Sequence, residues 1–362
     1  MPTNSVSAPV RGRGATSNPQ HRFASLQREA VDDGWERDAG QTALRTEVRE
    51  ERVRSVIVRN SSPDLHFNLS INPYRGCEHG CVYCYARPNH AYVGLSPGFD
   101  FESKLLVKPD AAERLREELA AASYRCEPIN LGSATDVYQP IERRYALTRA
   151  LIEVMAEFRQ PFTLVTKSSL VERDVDLLAP LARDGLVGVY LTLTTLDAEL
   201  ARRWEPRAAA PWRRLQTMRR LREAGIPVGV SLAPIVPFLN EPEIERLLAE
   251  AHEAGAQTAF YQVLRLPWEL RDLFVEWLEA HYPDRARRVL RRLSEMRGGS
   301  DETLRLNDPE FFSRMRGRGA WAELIRLRFD LAVRKLGLDR QRMTLRTDLF
   351  RRPGDDRQLG LF

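Results

Sequence analysis

Asn72-Pro-Tyr-Arg-Gly-Cys-Glu-His-Gly-Cys-Val-Tyr-Cys-Tyr85 is the stretch of this chain that best indicates its fold and its chemistry. Its cysteines, Cys77, Cys81 and Cys84, follow the spacing C-x3-C-x2-C. A cubane 4Fe–4S cluster normally takes four cysteine ligands, one for each iron. Three thiolates would hold three irons and leave the fourth iron open to a small molecule. The spacing therefore predicts a 4Fe–4S cluster on these three cysteines.

Zinc and disulfides are the alternative uses of the same cysteines. A structural zinc site takes four ligands, and His79 within the stretch is a candidate for the fourth. No second C-x2-C pair follows downstream, however, to complete a zinc ribbon or finger. A disulfide framework would need more cysteines, and the chain has only Cys126 besides these three. The cluster is therefore favoured over zinc, and buried structural thiols come last.

The composition is that of a globular protein outside the secretory pathway. The chain has 362 residues, of which 43% are hydrophobic, enough for one α/β barrel with additions. It shows no apolar signal region and no long apolar run, so we expect a cytoplasmic protein with no membrane partner. The net charge is +5, and only four of the 55 basic residues are lysines. This basicity is compatible with nucleic acid binding and, equally, with the arginine preference of a GC-rich genome.

Sequence patterns divide the chain into four parts. Residues 1–52 are rich in Pro, Gly, Ser, Arg and acidic residues, which predicts a flexible N-terminal arm, disordered or draped over the surface. Residues 53–266 alternate between strand and helix patterns. Residues 267–352 are helical and Arg-rich, and residues 353–362 form a C-terminal tail.

Six strands with five intervening helices predict an α/β fold, because such alternation produces a parallel sheet with right-handed crossovers. The expected architecture is a partial (β/α)6 TIM barrel, in which chemistry lies at the C-terminal ends of the strands. The predicted strands are Phe67–Ile71, Pro128–Gly132, Phe162–Thr166, Val187–Thr194, Val228–Pro234 and Thr258–Leu264. The predicted helices are Ala111–Ala122, Ala146–Phe158, Val175–Arg183, Ala209–Ala224, Glu241–Glu253, Trp268–Tyr282, Pro283–Met296, Pro309–Arg316 and Gly319–Leu336.

A dense basic cluster lies within the predicted helix Pro283–Met296. It consists of Arg285, Arg287, Arg288, Arg291 and Arg292. A solvated helix face is the simpler interpretation, and we favour it slightly. A surface that tracks phosphates beside the barrel mouth is the alternative.

Five motifs between residue 53 and about residue 265 resemble those of radical S-adenosylmethionine (SAM) enzymes, in the branch that contains spore photoproduct lyase. They are Asn72–Tyr85, Ser133–Asp136, Val165–Lys167, Glu205–Pro206 and Ala233–Ile235, in this order. The whole chain most resembles an uncharacterised bacterial subgroup with Arg-Gly-Arg-Gly near the start, here residues 11–14. The resemblance implies a 4Fe–4S cluster, SAM, and an electron donor such as flavodoxin or ferredoxin. In such enzymes the open iron binds SAM, and an electron from the cluster produces a 5′-deoxyadenosyl radical.

The first group of candidate SAM-binding residues surrounds the second predicted strand. Tyr83, just before the last cysteine, belongs to the signature of the superfamily. Gly132 allows a ligand to approach the backbone closely. Ser133, Thr135 and Asp136 have side chains suited to the methionine ammonium group, and the resemblance implies a SAM contact near Ser133.

The second group follows later strands. Lys167 at a strand end suits a carboxylate, and the resemblance implies a SAM contact near it and near Thr194. Thr192 and Thr194 share one face of their strand, from which hydroxyls reach a ribose. Arg207 lies before a helix and suits a carboxylate or phosphate, while Glu205 would orient it or cap the helix.

The chain departs from the photoproduct lyase pattern at the hydrogen donor. The lyase carries a cysteine that returns a hydrogen atom to the thymine radical, and the matching position here is Ser133. A serine O–H bond is too strong for that role, and Cys126 lies several residues earlier, as a structural thiol. Arg207 also replaces a small residue of the lyase. These differences predict another substrate or another terminal donor, for which Tyr85 and Tyr138 are the catalytic candidates.

The last five residues, Gln358-Leu-Gly-Leu-Phe362, resemble the peptide by which bacterial repair and replication proteins dock on the DNA sliding clamp. An extended tail would insert Leu359, Leu361 and Phe362 into a preformed groove, with Gln358 as the polar contact. A tail that packs its Leu and Phe side chains on its own barrel is the equal alternative.

The sequence thus predicts a radical SAM enzyme of unknown substrate, with damaged or modified DNA as the preferred class. An RNA- or protein-modifying radical SAM enzyme is the first alternative. The second is a non-catalytic iron–sulfur protein recruited to the sliding clamp, which would hold a cluster without cleaving SAM.

Overall fold

The computed structural model describes residues 14–23, 45–300, 303–340 and 343–353. Most of the Arg-Gly-Arg-Gly motif and the whole clamp-binding peptide Gln358–Phe362 lie outside these residues. Within the described residues, no helix has the length and apolar character needed to cross a membrane.

The described residues form ten strands and twelve α-helices. The strands are β1 (Glu47–Glu50), β2 (Ile57–Arg59), β3 (Leu69–Ile71), β4 (Tyr74–Arg75), β5 (Lys104–Val107), β6 (Ile129–Leu131), β7 (Phe162–Thr166), β8 (Val187–Thr192), β9 (Val228–Ile235) and β10 (Thr258–Val263). The helices are α1 (Phe99–Ser103), α2 (Ala111–Ala120), α3 (Glu142–Tyr145), α4 (Leu147–Phe158), α5 (Val175–Arg183), α6 (Ala198–Trp204), α7 (Pro211–Glu223), α8 (Ile244–Glu253), α9 (Leu270–His281), α10 (Pro283–Met296), α11 (Ser313–Arg316) and α12 (Gly319–Leu336).

Seven strands form the main sheet, in the order β10-β9-β8-β7-β6-β3-β2. Within this sheet the neighbours among β3, β6, β7, β8, β9 and β10 pair in parallel, and β2 is antiparallel to β3. The six parallel strands match the six predicted strands to within two residues at each end. Helices cover parallel strands, so such strands carry near-continuous apolar runs, as in β9, where seven of eight residues are buried. The predicted α/β fold is confirmed.

A second, three-stranded sheet was not predicted. Its order is β1-β5-β4, with β1 parallel to β5. The sequence of β1, Glu-Val-Arg-Glu, has no apolar alternation and is mostly exposed, so only pairing with β5 makes it a strand. Because β1 lies within residues 1–52, the predicted arm includes one strand of the folded protein.

Residues 14–23 of the predicted arm lie against the protein. Ala15 N donates to Glu102 Oε1 at 2.7 Å, and Ala15 is buried. Ser17 Oγ donates to Glu276 Oε2 at 2.6 Å. Arg22 N donates to Glu269 Oε1 at 2.8 Å. This part of the arm is therefore bound to α1 and α9.

The helical extension packs onto the barrel through α12, which contacts α8 and α10. The bounds of α10 and α12 are those predicted from the sequence. The predicted helix Pro309–Arg316 is wrong over its first half, because only its second half, α11, is helical. Phe312 has a φ of +65°, outside the helical region, and this conformation delays the start of the helix.

Candidate active site

The cysteine loop, residues 76–85, follows β3 and β4 at the C-terminal edge of the main sheet. Cys77 N donates to the Phe101 carbonyl of α1 at 3.0 Å. Gly76 has a φ of +78°, and a Cβ atom there would lie 2.8 Å from the same carbonyl oxygen. Only glycine therefore fits where the loop backbone comes this close to α1.

The three cysteines of the loop are free thiols, with Cys77 and Cys81 buried and Cys84 half-buried. Burial, and secondly the Asp136 carboxylate, raise the pKa of Cys77 well above its usual value. Burial raises the pKa of Cys81 to about 12, although the Lys167 ammonium acts in the opposite direction. Thiolates in such a place need a positively charged partner such as iron. The burial and the donor type therefore fit a 4Fe–4S cluster.

The zinc alternative receives no such support. In the described part of the chain, no three Cys, His, Asp or Glu side chains are grouped to hold a single metal ion. A cubane distributes three thiolates over three irons, so its cysteines need not converge on one point. His79, the candidate fourth zinc ligand, lies with Nδ1 3.2 Å from Asp136 Oδ2.

A buried ion pair between Arg87 and Glu102 holds the backbone of the cysteine loop. The guanidinium of Arg87 bonds to Glu102, and both side chains are fully buried. Arg87 Nε also donates to the Cys81 carbonyl at 2.8 Å, and Nη2 donates to the Gly80 carbonyl at 3.0 Å. Arg87 therefore fixes the backbone at the second cysteine and at the residue before it. No pattern in the sequence indicated this role.

Asp136 holds the loop from the side of β6 and β7. It accepts hydrogen bonds from Thr166 Oγ1 and from Lys167 N, each at 2.7 Å. Burial alone would raise the pKa of Asp136, but His79 and these hydrogen bonds outweigh it and lower that pKa. The protein itself therefore engages this carboxylate, which we predicted for the SAM ammonium group.

Glu205 is the centre of a buried network that contains several predicted residues. Its carboxylate accepts hydrogen bonds from the Tyr83 hydroxyl, from Thr194 Oγ1 at 2.9 Å and from the Arg214 guanidinium. Lys167 Nζ lies 5.8 Å from the centroid of the Tyr83 ring. The structure therefore brings together four residues that the sequence placed in separate motifs.

Neighbouring charged groups keep Glu205 and Lys167 ionised in this network. Burial would raise the pKa of Glu205, but Arg214 and Lys167 outweigh it and lower that pKa. Burial would lower the pKa of Lys167, but Cys81 and Glu205 outweigh it and raise that pKa. A carboxylate and an ammonium group are therefore both maintained beside the cysteine loop.

Arg214 is a member of the network that the sequence analysis missed. It is buried, and its Nη1 donates to the Thr192 carbonyl at 3.0 Å. A signal was present, because Arg214 falls on the apolar stripe of α7 together with Pro211, Met218 and Leu221. A charged residue on such a stripe indicates a buried partner.

The other predicted residues near β6 line the same edge. Gly132 has a φ of +89°, and a Cβ atom there would lie 3.0 Å from the Thr135 carbonyl oxygen. Ser133 Oγ accepts a hydrogen bond from Asn72 Nδ2 at 2.9 Å. Thr135 Oγ1 donates to the Gly76 carbonyl at 2.8 Å, so its hydroxyl is bound to the cysteine loop.

Two further predicted residues lie apart from the network. Thr192 is buried at the end of β8, where its carbonyl accepts the bond from Arg214. Arg207 Nη1 forms an ion pair with Glu78 Oε1 at 2.9 Å, and Thr46 Oγ1 donates to the same oxygen at 2.7 Å. Arg207 therefore contacts the cysteine loop itself.

The two candidate hydrogen donors differ in their surroundings. Tyr85 is exposed at the end of the cysteine loop, where its hydroxyl donates to the Ser133 carbonyl. Tyr138 is fully buried, and its hydroxyl donates to Asp174 Oδ2 at 3.0 Å. A terminal donor must touch the substrate, so the structure favours Tyr85 over Tyr138.

A loop of three cysteines, two buried and one half-buried, at the C-terminal edge of a parallel sheet is the feature that indicates the class of protein. The model of the Radical SAM superfamily matches residues 71–251, half of the chain. The chain belongs to this superfamily, as the sequence predicted, and is a radical SAM enzyme. The cofactors of this class are SAM and a 4Fe–4S cluster.

Individual proteins are similar to the chain in sequence or in fold. It is 37% identical to an uncharacterized protein of Mycobacterium tuberculosis (strain ATCC 25618 / H37Rv), over 63% of this chain and 68% of that protein. An uncharacterized protein of Methanocaldococcus jannaschii is 28% identical, over 59% of this chain and 76% of that protein. Spore photoproduct lyase complexed with dinucleoside spore photoproduct has a similar fold, with a TM-score of 0.57 and 16% identity over 80% of this chain and 79% of that chain.

Proposed function

We propose that Cys77, Cys81 and Cys84 hold the 4Fe–4S cluster and that the enzyme acts on nucleic acid, with damaged or modified DNA as its substrate class. When bound, the cluster and SAM supply the electron and the 5′-deoxyadenosyl radical that abstracts hydrogen from the substrate. Support for the cluster site comes from the burial of the thiols on a loop at the barrel mouth. Support for the substrate comes from an arginine face on α10, described below.

Lys167 is the group we assign to the carboxylate of SAM. Its raised pKa keeps the ammonium charged, and it lies beside Tyr83 and the second cysteine. A compact ammonium suits a single carboxylate as a point charge. Glu205 is already shared among three donors, so we assign it the role of positioning Tyr83 and Thr194.

Ser133 and Thr194 are the hydroxyl groups we assign to SAM. Thr194 donates its proton to Glu205, so its oxygen lone pairs remain for a ribose hydroxyl. Ser133 accepts one bond from Asn72 and keeps a second lone pair for an ammonium group. Asp136 would act through His79 and the backbone of Lys167, as a positioning residue.

Tyr85 is the terminal hydrogen donor in this proposal, and the tyrosyl radical left by the donation would take up an electron from the enzyme's electron donor and a proton from solvent. Its hydroxyl is next to Ser133, the position that replaces the cysteine donor of photoproduct lyase. A phenolic O–H bond is weaker than that of serine, and Tyr85 is exposed at the barrel mouth. Substitution of Tyr85 by Phe would then allow hydrogen abstraction and prevent completion of the product.

The arginine face of α10 is the observation that favours nucleic acid. The guanidinium of Arg288 lies 3.8 Å from the centroid of the Phe238 ring, and that of Arg292 lies 4.5 Å from the Trp321 ring. A groove of 490 Å³ runs along this face, lined by four arginines of α10 with Asp284 and Glu295. Basic grooves with interleaved aromatic rings track phosphates and stack on bases.

The arginine face and the cysteine loop both follow the C-terminal ends of strands of the main sheet. Phe238 lies three residues after the C-terminal end of β9. The cysteine loop follows the C-terminal end of β3, and both strands are parallel members of one sheet. A strand of nucleic acid on the arginine face would therefore lie at the same end of the barrel as the cysteines.

The test is the release of 5′-deoxyadenosine from SAM by the anaerobically reconstituted enzyme under dithionite. It is run with no nucleic acid, with UV-irradiated DNA, with undamaged DNA and with RNA. A variant with Cys77→Ala, Cys81→Ala and Cys84→Ala is the blank. We expect release above the blank that increases with UV-irradiated DNA.

The remaining outcomes separate the alternatives. Release that increases only with RNA, or that ignores nucleic acid, would contradict a DNA substrate and favour an RNA- or protein-modifying enzyme. A cluster that never supports release would favour the non-catalytic iron–sulfur protein.

We also propose that the tail Gln358–Phe362 docks on the DNA sliding clamp and brings the enzyme to DNA. The described chain just before the tail is held on the barrel, with Arg351 N donating to the Phe158 carbonyl at 3.0 Å. Deletion of the five tail residues should abolish clamp binding, measured by surface plasmon resonance, and leave SAM cleavage intact. Unchanged clamp affinity after the deletion would exclude this docking.

A further inference from the structure

Arg265 lies where the two ends of the open barrel meet. It follows β10, which is an edge strand of the main sheet. Tyr85 belongs to the loop after β3, near the opposite edge. The guanidinium of Arg265 nevertheless lies 5.0 Å from the centroid of the Tyr85 ring. The pair therefore bridges the lateral opening of the mouth, one residue from the third cysteine.

Arg265 has no counter-ion within the part of the chain that the structure describes. Its side chain is largely enclosed, and its Nε atom is buried with no hydrogen-bond partner. Among the described residues it makes no hydrogen bond and no ion pair, whereas the enclosed guanidinium groups of Arg87 and Arg214 each bond to a carboxylate. Burial, opposed mainly by Tyr85, lowers the pKa of Arg265. An enclosed charge in this condition carries a free-energy cost unless a ligand offsets it.

Asp64, which acts electrostatically on Arg265, and Asp308, which acts on the neighbouring Arg297, are both already engaged. Both oxygens of Asp64 bond to the Arg314 guanidinium, at 2.5 and 2.6 Å. Asp308 accepts hydrogen bonds from Arg318 Nε at 3.0 Å and from Ser313 Oγ at 2.7 Å. The protein therefore surrounds Arg265 with more positive than available negative charge.

A rigid frame holds the backbone that leads to Arg265. Arg297 is buried, and its Nη2 donates to the carbonyls of Val263 and Leu264, at 3.0 and 2.5 Å. Its Nη1 donates to the Arg314 carbonyl at 2.9 Å. The two residues before Arg265 are thereby fixed to the extension, and the Tyr85 ring supports the guanidinium plane. Such support is what a preorganised binding group requires.

We propose that Arg265 binds a phosphate oxyanion of the substrate at the barrel mouth, next to the third cysteine. This inference rests on the proposed nucleic acid substrate and adds the residue that positions its reacting nucleotide. A planar guanidinium matches two phosphate oxygens with two parallel N–H bonds. SAM offers a second oxyanion, its carboxylate, which the experiment must distinguish.

The test measures binding to the reconstituted holoenzyme by isothermal titration calorimetry. The probes are UV-irradiated thymidylyl-thymidine, which has one phosphodiester, its uncharged methylphosphonate analogue irradiated in the same way, and SAM. We expect Arg265→Gln to weaken binding of the phosphodiester by about 10-fold, in the range for a charge-assisted bond. Binding of the methylphosphonate and of SAM should be the same in the variant and the wild type. Arg271→Gln, at an exposed arginine of α9, is the matched control and should change nothing.

Other outcomes would overturn the proposal. If Arg265→Gln weakens binding of the charged and uncharged dinucleotides equally, Arg265 does not recognise the phosphate charge. Weaker SAM binding with an unchanged phosphodiester would assign Arg265 to the SAM carboxylate. A wild type that binds neither dinucleotide would overturn the nucleic acid substrate as well, whereas wild-type binding that Arg265→Gln leaves unchanged would overturn this inference alone.

Thermal unfolding of the same variants distinguishes a binding role of Arg265 from a structural role, because the two roles predict opposite changes in Tm. A binding arginine without a counter-ion destabilises the free protein, so Arg265→Gln should raise Tm or leave it unchanged. A clear fall in Tm would show that Arg265 stabilises the fold, and would contradict the proposal.

Discussion

The arginines beneath the cysteine loop and those on α10 use the same side chain in opposite ways. Arg87 and Arg214 are buried, and each bonds to a buried carboxylate and to backbone carbonyls. The arginines of α10 are mostly exposed, and two of them stack on aromatic rings beside a groove. A guanidinium whose donors are all engaged fixes the backbone around it. Arg291 and Arg292 of α10 pair with Glu295, whereas Arg285 and Arg287 face solvent without an ion pair among the described residues, so their charge is available to a polyanion.

The cysteines beside the buried arginines give the largest expected effect. Substitution of Cys77, Cys81 or Cys84 by Ser should reduce bound iron from about four per chain to near zero, because a cubane needs all three thiolates. Iron and sulfide analysis after anaerobic reconstitution measures this. Cys126→Ser should keep its iron, since Cys126 lies outside the loop. Full iron content in any loop variant would contradict the assigned ligand set.

Arg87→Met is the next largest change. It leaves the Glu102 carboxylate buried without its cationic partner, so we expect a loss of about 3–5 kcal/mol in the free energy of unfolding. Chemical denaturation measures this, and the double variant Arg87→Met/Glu102→Gln should recover part of the loss. Arg287→Met on α10 is the exposed counterpart and should leave stability unchanged. An equal loss of stability in Arg87→Met and Arg287→Met would contradict the distinction between buried, paired arginines and solvent-facing ones.

Glu205→Gln should lower the free energy of unfolding by less, about 1–3 kcal/mol. The amide keeps the shape of the Glu205 side chain but loses the charge that Arg214 requires. The variant should also bind SAM more weakly, since an amide can offer its one oxygen to Tyr83 and Thr194 or to Arg214, but not to both sets of donors. Equilibrium unfolding and SAM titration of the reconstituted protein measure both effects. Glu279→Gln, at an exposed position of α9, is the control. If unfolding and SAM binding are both unchanged in Glu205→Gln, the network has no positioning role.

Substitutions on the arginine face should have the smallest effect on the fold and a selective effect on binding. Arg285→Gln, Arg287→Gln and Arg291→Gln together should reduce the salt dependence of single-stranded DNA binding, with the slope smaller by about 2, or about 0.7 for each lost phosphate contact. Fluorescence anisotropy over a salt series measures the slope. Arg219→Gln/Arg222→Gln, at the other end of the barrel on α7, should leave it unchanged. The same decrease in both variants would mean that net charge alone drives binding.

Some parts of the fold could be predicted because local pattern and tertiary environment agree. The strand Phe162–Thr166 and the helices Val175–Arg183 and Pro283–Met296 have the predicted bounds. Each carries the apolar periodicity of its own element, and each is bounded by polar or helix-breaking residues. By contrast, β1 and β5 are strands because they pair with each other, and no local pattern indicates that pairing.

The candidate site divides in the same way. The type and spacing of the cysteines predicted a cluster, and the motif order predicted which strand ends would meet. That Arg207 pairs with Glu78 and that Tyr138 lies in the core depend on contacts between distant segments. These contacts depend on side-chain packing, which no single motif encodes.

The sequence by itself determined the α/β class, the positions of the six parallel strands along the chain and the three thiols of the loop. Apolar periodicity and the spacing of metal ligands are local properties of a sequence. Only the tertiary structure decided which charges are neutralised. Glu205 pairs with Arg214 and Glu102 with Arg87, whereas Arg265 lies against the Tyr85 ring and bonds to no carboxylate of the described ranges. Burial sets the cost of a charge, and burial arises only when distant segments pack together.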